Sequence, residues 1–187
     1  MIVKETKLPG LLLIEPEKFQ DNRGFFMETY QHSRYVEAGI DVNFIQDDHS
    51  HSLKDVLKGI HFTITIPQAK LVSISSGSIF DVVVDLRKDS PTFGEWLGIN
   101  LNMDTPRQLF IPGGFGHGYC VTSEYADIHY KVSQTYNPSD EGGLNWQDPD
   151  MAIKWPIKNP VMKERDTAFP FLSEVPNEKL PSVYFKA

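Results

Sequence analysis

The sequence predicts an all-β protein, an antiparallel sandwich or barrel, and three observations support this. Short runs rich in Val, Ile, Phe and Leu fill the middle of the chain. Clusters of Gly, Pro and Ser separate those runs at near-regular spacing, as turns do between strands. Helix signals are few. The 187 residues contain no internal repeat, low-complexity segment or linker, so one domain spanning 1–187 is expected.

Taken in order, Ser33 to Ala38 is the best short-helix candidate, with Gly39 behind it as a stop. Gly59-Ile60-His61-Phe62 and Gln68-Ala69-Lys70-Leu71-Val72 lie in strand-like runs on either side of a short linker. Leu71 to Ser75 reads as a strand, Ser76-Gly77-Ser78 as a turn, and Ile79 to Leu86 as the returning strand. Arg87 to Gly94 is turn-rich, Trp96 to Leu101 is a strand, and Gln108 to Ile111 runs into the break Pro112-Gly113-Gly114. Gly118 to Thr122 and Ile128 to Tyr136 complete the series. Alternation along the last run puts Tyr130, Val132, Gln134 and Tyr136 on one face. The final forty residues are rich in Pro and Lys and are expected to wrap the surface or form short helices.

Composition narrows the function. Hydrophobic content of 40% and charged content of 23% are those of an ordinary globular chain. A net charge of −7 argues against a nucleic-acid binder, which would be basic, yet leaves room for a small basic pocket. The single cysteine, Cys120, has no internal partner, which suits a reducing compartment. No apolar run reaches membrane-spanning length, and Lys4 and Glu5 fall where a signal peptide needs its apolar core. A cytoplasmic protein without a membrane contact is expected.

His61 and Lys70 are the residues that suggest chemistry. An imidazole can serve as a base, and an ammonium can stabilise an oxyanion, a pairing suited to removing a proton beside a carbonyl. Gly59 allows close backbone approach next to the histidine. In Gly114-Phe115-Gly116-His117-Gly118-Tyr119, glycines flank a second histidine; spacing alone fits an unobstructed imidazole and a tight turn equally. Asp21 to Glu28 sets Arg23 beside a turn glycine, followed by aromatics and a carboxylate, which suits a phosphate and a flat base. A turn into an edge strand reads the same way. His32, His51 and His129 are expected on solvated surface. His49 and His51 form an H-x-H pair with Asp55 nearby and His117 downstream, a loose match to a metal-binding cupin pattern in which Asp55 replaces a longer Glu. No metal is expected there.

These elements occur together, and in this order, in the dTDP-4-dehydrorhamnose 3,5-epimerase family, which the chain resembles from about Phe19 to Asp166. The matching stretches are F-x-D-x-R-G-F-F-x-E, Phe44-Ile45-Gln46-Asp47 with Ser50, Gly59 to Phe62, and Gln68 to Val72. Asp81 to Arg87 with Ser90-Pro91-Thr92, then Ile111-Pro112-x-Gly114-Phe115-x-His117-Gly118, continue the match. Tyr130-Lys131, Tyr136-x-Pro138, Glu141 and Trp146-x-Asp148 close it. The resemblance implies a jelly-roll (double-stranded β-helix, cupin) fold with a few short peripheral helices. It also implies a homodimer with exchanged strands, no metal and no cofactor. By position it puts the base on His61, its paired carboxylate on Asp166, the enolate-stabilising lysine on Lys70 and the opposing acid on Tyr136. It puts His117 and Arg23 on the diphosphate, and Phe26, Glu28 and Gln46 among the groups holding base and sugar. Asp48, Lys58, Tyr119 and Tyr130 complete the expected substrate-binding set.

Three departures from the family pattern bear on the substrate. Lys58 stands where an arginine is common and lacks its bidentate fork. Thr63 replaces a glutamine, and Asp48 replaces an asparagine. The reaction expected is inversion at C3 and C5 of dTDP-4-dehydro-6-deoxyglucose, in rhamnose-type deoxysugar biosynthesis. Single-centre epimerisation of a dTDP-, CDP- or GDP-sugar, 3,4-ketoisomerisation and non-catalytic sugar-nucleotide binding remain as alternatives.

Overall fold

A computed structural model describes residues 1–185. The strands are β1 (Ile2–Glu5), β2 (Leu12–Glu15), β3 (Lys18–Asp21), β4 (Gly24–Met27), β5 (Gln46–Leu53) and β6 (Leu57–Thr63). They continue with β7 (Lys70–Asp85), β8 (Trp96–Asn102), β9 (Gln108–Ile111), β10 (Phe115–Val132) and β11 (Glu141–Gly143). The helices are α1 (His32–Glu37) and the single-turn α2 (Glu164–Thr167), with short 3-10 turns in the C-terminal wrap. The expected helix is present as α1. Gly39, at φ 87°, closes it by donating its N–H to the Val36 carbonyl.

β7 and β10 organise the jelly roll. They pair antiparallel along most of their length, from Phe115↔Asp85 to Val132↔Lys70. At one end β6 joins β10 and β8 joins β7; at the other, β5 joins β10 and β9 joins β7. The expected turn at Ser76-Gly77-Ser78 is therefore a correction: the chain stays in the sheet, and one strand replaces the two expected there. Gly77 adopts φ 75°, and the β7–β10 register slips between Val121 and Ala126, so the disturbance is absorbed as a bulge. Likewise Gly118–Thr122 and Ile128–Val132 are parts of one strand, β10. β10 ends at Val132, so Tyr136 lies beyond it in irregular chain and does not share its face with Tyr130 by alternation.

Inward-facing residues of β7, β8, β9 and β10, among them Val72, Ile79, Val83, Leu101, Leu109 and Ile128, fill the main core. A second core joins Ile60 and Phe62 of β6 to Val82, Val84, Leu86 and Leu144. Burying side chains such as Ile60 and Phe62 contributes about 1.5–3 kcal/mol each, enough to fix which face β6 turns outward. The turn-rich segment after β7 is pinned by buried Asp85. Its carboxylate accepts from Arg87, Ser90 and Thr92 at 2.6–2.9 Å. Among the described residues, no helix is long and apolar enough to cross a membrane.

Candidate active site

β6 positions two functional side chains through a bulge. His61 lies opposite His117 and Lys58 opposite Tyr119, so β6 spends three steps where β10 spends two. The extra residue brings Lys58 and His61 to the same pocket, which strict alternation would have put on opposite faces. Gly59 makes this possible. It sits at φ 116°, and a Cβ there would lie 2.5 Å from the Gly118 Cα and 2.7 Å from the His117 carbonyl oxygen.

The pocket, about 220 Å³, collects most of the residues expected from the sequence. β5 supplies Gln46 and Asp48, β6 Lys58 and His61, and β7 Lys70. β10 supplies His117, Tyr119 and Tyr130, and Tyr136 stands in the loop that follows. Arg23, Phe26 and Glu28 are not brought here by the single chain. Arg23 projects from the β3–β4 hairpin and pairs with Asp21 at 2.6 Å; Glu28 pairs with Arg34 at 3.0 Å; Phe26 is 71% exposed. A larger cavity, about 410 Å³, adjoins the pocket across Asp48 and Tyr130. It holds the Lys131–Asp47 ion pair at 2.9 Å but, among the described residues, no imidazole–carboxylate pair, whereas the smaller pocket gathers His61, Lys70 and His117.

His61 Nε2 is buried and lies 3.1 Å from Asp166 Oδ1, at ion-pair distance though not aligned for a straight hydrogen bond. Such contacts tighten when substrate closes the site. Nδ1 is left toward the pocket, with Glu141 Oε1 at 4.0 Å. Phe169 meets the ring edge-on, with centroids 5.7 Å apart, and limits its rotation. Burial works to raise the Asp166 pKa. His61, the Gly59 N–H at 3.4 Å and Arg165 outweigh it and hold the carboxyl below its ordinary value. Asp166 is therefore ionised and suited to stabilise an imidazolium.

Lys70 has no carboxylate within 4 Å among the described residues. Desolvation by the surrounding protein lowers its pKa, and the more distant charges of Glu141 and Asp81 only partly offset this. Its ammonium remains available to an oxygen of a bound ligand. Tyr130 is partly buried, and desolvation pushes its phenol well above the usual range, so it stays a proton donor. Tyr136 is 58% exposed and donates to Glu141 Oε2 at 3.3 Å. His117 is buried against Asp81, with Nε2 2.9 Å from the nearer oxygen, and forms a second imidazole–carboxylate pair. Lys58 donates to Ser50 at 2.8 Å, and Gln46 donates to Asp48 at 2.8 Å.

Sequence reasoning did not single out Glu141, Arg165 or Asp81 for the site. Arg165 donates to Glu141 at 2.6 Å and to Asp166 at 3.3 Å. Glu141 lay within a matched stretch and Arg165 beside Asp166, so adjacency was the available signal. His49 and His51 both contact Asp127 at 2.9 Å on the exposed sheet surface, away from Asp55. No metal-binding group of three such side chains is found among the described residues.

A jelly roll whose pocket sets an imidazole–carboxylate pair, a desolvated lysine and a phenol around one space suits proton transfer beside a carbonyl, the chemistry of an isomerase. The chain belongs to the dTDP-4-dehydrorhamnose 3,5-epimerase family, whose model matches residues 5–174. It is 46% identical to the dTDP-4-dehydrorhamnose 3,5-epimerase of Salmonella typhimurium over 93% of this chain and 97% of that protein. A crystal structure of the Legionella pneumophila dTDP-6-deoxy-D-glucose-3,5-epimerase in complex with dTDP-4-keto-L-rhamnose superposes with a TM-score of 0.94 at 41% identity. That match covers 100% of this chain and 99% of the other. A 3'-monoepimerase from Streptomyces bikiniensis is more distant, at 31% identity and TM-score 0.85, over 90% of this chain and 86% of that one. It was crystallised with dTDP as a double mutant lacking a histidine and a tyrosine 70 positions apart.

Proposed function

We propose that this chain epimerises dTDP-4-dehydro-6-deoxyglucose at C3 and C5, in the formation of a rhamnose-type deoxysugar. The observation carrying this reading is that His61 turns Nδ1 into the pocket while Nε2 rests on ionised Asp166, with Lys70 beside the same space. The C4 ketone acidifies the hydrogens on C3 and C5. His61 Nδ1 takes one of them, Asp166 stabilises the imidazolium, and Lys70 stabilises the enolate oxygen. A proton delivered from the opposite face inverts the carbon.

Tyr130 is the proposed donor, in place of Tyr136. Its raised pKa keeps it protonated, and it faces the pocket from β10, whereas Tyr136 is exposed at the mouth. Spacing supports this choice: Tyr130 follows His61 by 69 positions and Tyr136 by 75, against 70 for the pair replaced in the Streptomyces bikiniensis enzyme. Tyr136 offers an open ring on which a planar base can stack. Lys58, Gln46, Asp48, Tyr119 and His117 surround the remaining polar groups of the ligand.

A homodimer completes this reading. The β3–β4 hairpin exposes Phe19, Phe25 and Phe26 with Arg23, more apolar surface than an isolated arm would keep in water. Docked on a second copy, it would bring Arg23, Phe26 and Glu28 to that copy's pocket. Incubation with the dTDP sugar in deuterated water, read by NMR, tests the reaction. Deuterium at C3 and C5 with inversion supports it; deuterium at one centre alone makes the chain a monoepimerase.

A further inference from the structure

We propose that Arg165 and Glu141 form a charge-balancing clamp that sets the pH range over which His61 acts as a base, an inference that rests on His61 holding that role. The two nitrogens of His61 face two different carboxylates, Asp166 at 3.1 Å from Nε2 and Glu141 at 4.0 Å from Nδ1. Two anions around one imidazole favour its protonated form, which is useful after proton abstraction and harmful before it. Arg165 bridges both anions. Its Nη1 donates to Glu141 Oε2 at 2.6 Å and its Nε to Asp166 Oδ1 at 3.3 Å. The guanidinium also lies over Phe169, the ring that meets His61 edge-on.

The remaining charged and titratable groups around His61 do not duplicate this arrangement. Lys58 precedes it on β6, His117 with Asp81 behind it faces it from β10, and Lys70 reaches the pocket from β7. Tyr130 and Tyr136 are neutral donors, and Tyr136 bonds to Glu141. Arg165 is therefore the cation that touches both carboxylates flanking the base. Its side chain is half exposed and sits on a one-turn helix, where packing alone would leave it free to point into water. Arg165 and Glu141 are positioning residues here, acting through His61.

The test compares the pH dependence of kcat/KM with the titration of the His61 imidazole followed by heteronuclear NMR, which needs no turnover. In Arg165→Gln, loss of the cation favours the imidazolium, so the acid limb and the NMR midpoint move upward, on the order of one pH unit. In Glu141→Gln they move downward. Arg165→Lys keeps the charge and restores the wild-type midpoint. Midpoints that stay in place, or move in the same direction in both variants, would overturn the clamp. So would Arg165→Lys behaving like Arg165→Gln. Opposite NMR shifts in a protein without epimerase activity would support the clamp and count against the proposed reaction instead.

Discussion

Asp166 Oδ1 lies 3.1 Å from His61 Nε2, and this contact leaves Nδ1 as the nitrogen turned toward the pocket. β6 brings one partner and the one-turn helix α2 the other, with the Gly59 N–H steadying the free carboxylate oxygen. Asp166→Asn keeps the shape and removes the charge that stabilises the imidazolium. It is expected to lower kcat/KM by about 100-fold, with little change in KM, measured by NMR turnover assays. Wild-type kcat would remove Asp166 from the mechanism.

Lys70 predicts a trade between activity and stability. Desolvation lowers its pKa, so the unfolded chain holds that proton more tightly than the folded one. The contribution to stability therefore rises as pH increases from the folded pKa toward the unfolded value, and is least favourable below both. Lys70→Met should lose at least about 100-fold in kcat through the missing oxyanion contact. It should also gain about 1 kcal/mol in urea denaturation at neutral pH and lose that alkaline rise. A less stable Lys70→Met would contradict the desolvation argument.

The two tyrosines should separate kinetically. Tyr130→Phe is expected to retain hydrogen exchange into the substrate while inversion falls by about 100-fold or more. Tyr136→Phe, which keeps an aromatic ring at the mouth, should change kcat by less than about 3-fold. Product stereochemistry and isotope content from one NMR series decide between them. The reverse pattern would return the acid to Tyr136.

Gly59 links the fold to the site. A Cβ there meets the backbone of Gly118 and His117, and φ 116° strains any other residue. Gly59→Ala should cost about 3 kcal/mol or more in chemical denaturation, because neither neighbour is a flexible side-chain end. Unchanged stability would mean that the β6 bulge is not fixed by this contact.

Much of this was legible in the sequence, for identifiable reasons. Alternating apolar residues and turn clusters marked the strands, and the Pro112-Gly113-Gly114 break falls directly after β9. His61 and Lys70 stood out because each lies beside residues that suit a strand and a close approach. Asp166 came only through resemblance, since a one-turn helix without a side-chain cap has no periodic signal. Gly77 read as a turn because a positive-φ glycine serves a bulge and a hairpin alike. The strand expected to run to Tyr136 ends at Val132, and strand ends are not written in side-chain alternation, yet Tyr136 still reaches the pocket that Tyr130 lines. Arg23, Phe26 and Glu28 belong to a matched motif, but a motif does not say where the fold carries it, and the single chain leaves them on the β3–β4 hairpin and just after it, away from the pocket.

The proposed reaction stands on removal by His61 of the proton next to the ketone. The most direct measurement is deuterium uptake at C3 and C5 of dTDP-4-dehydro-6-deoxyglucose in deuterated water, comparing wild type with His61→Ala. Uptake at both carbons is expected for the wild type and none above background for the variant. Exchange by His61→Ala at the wild-type rate would contradict that role for His61.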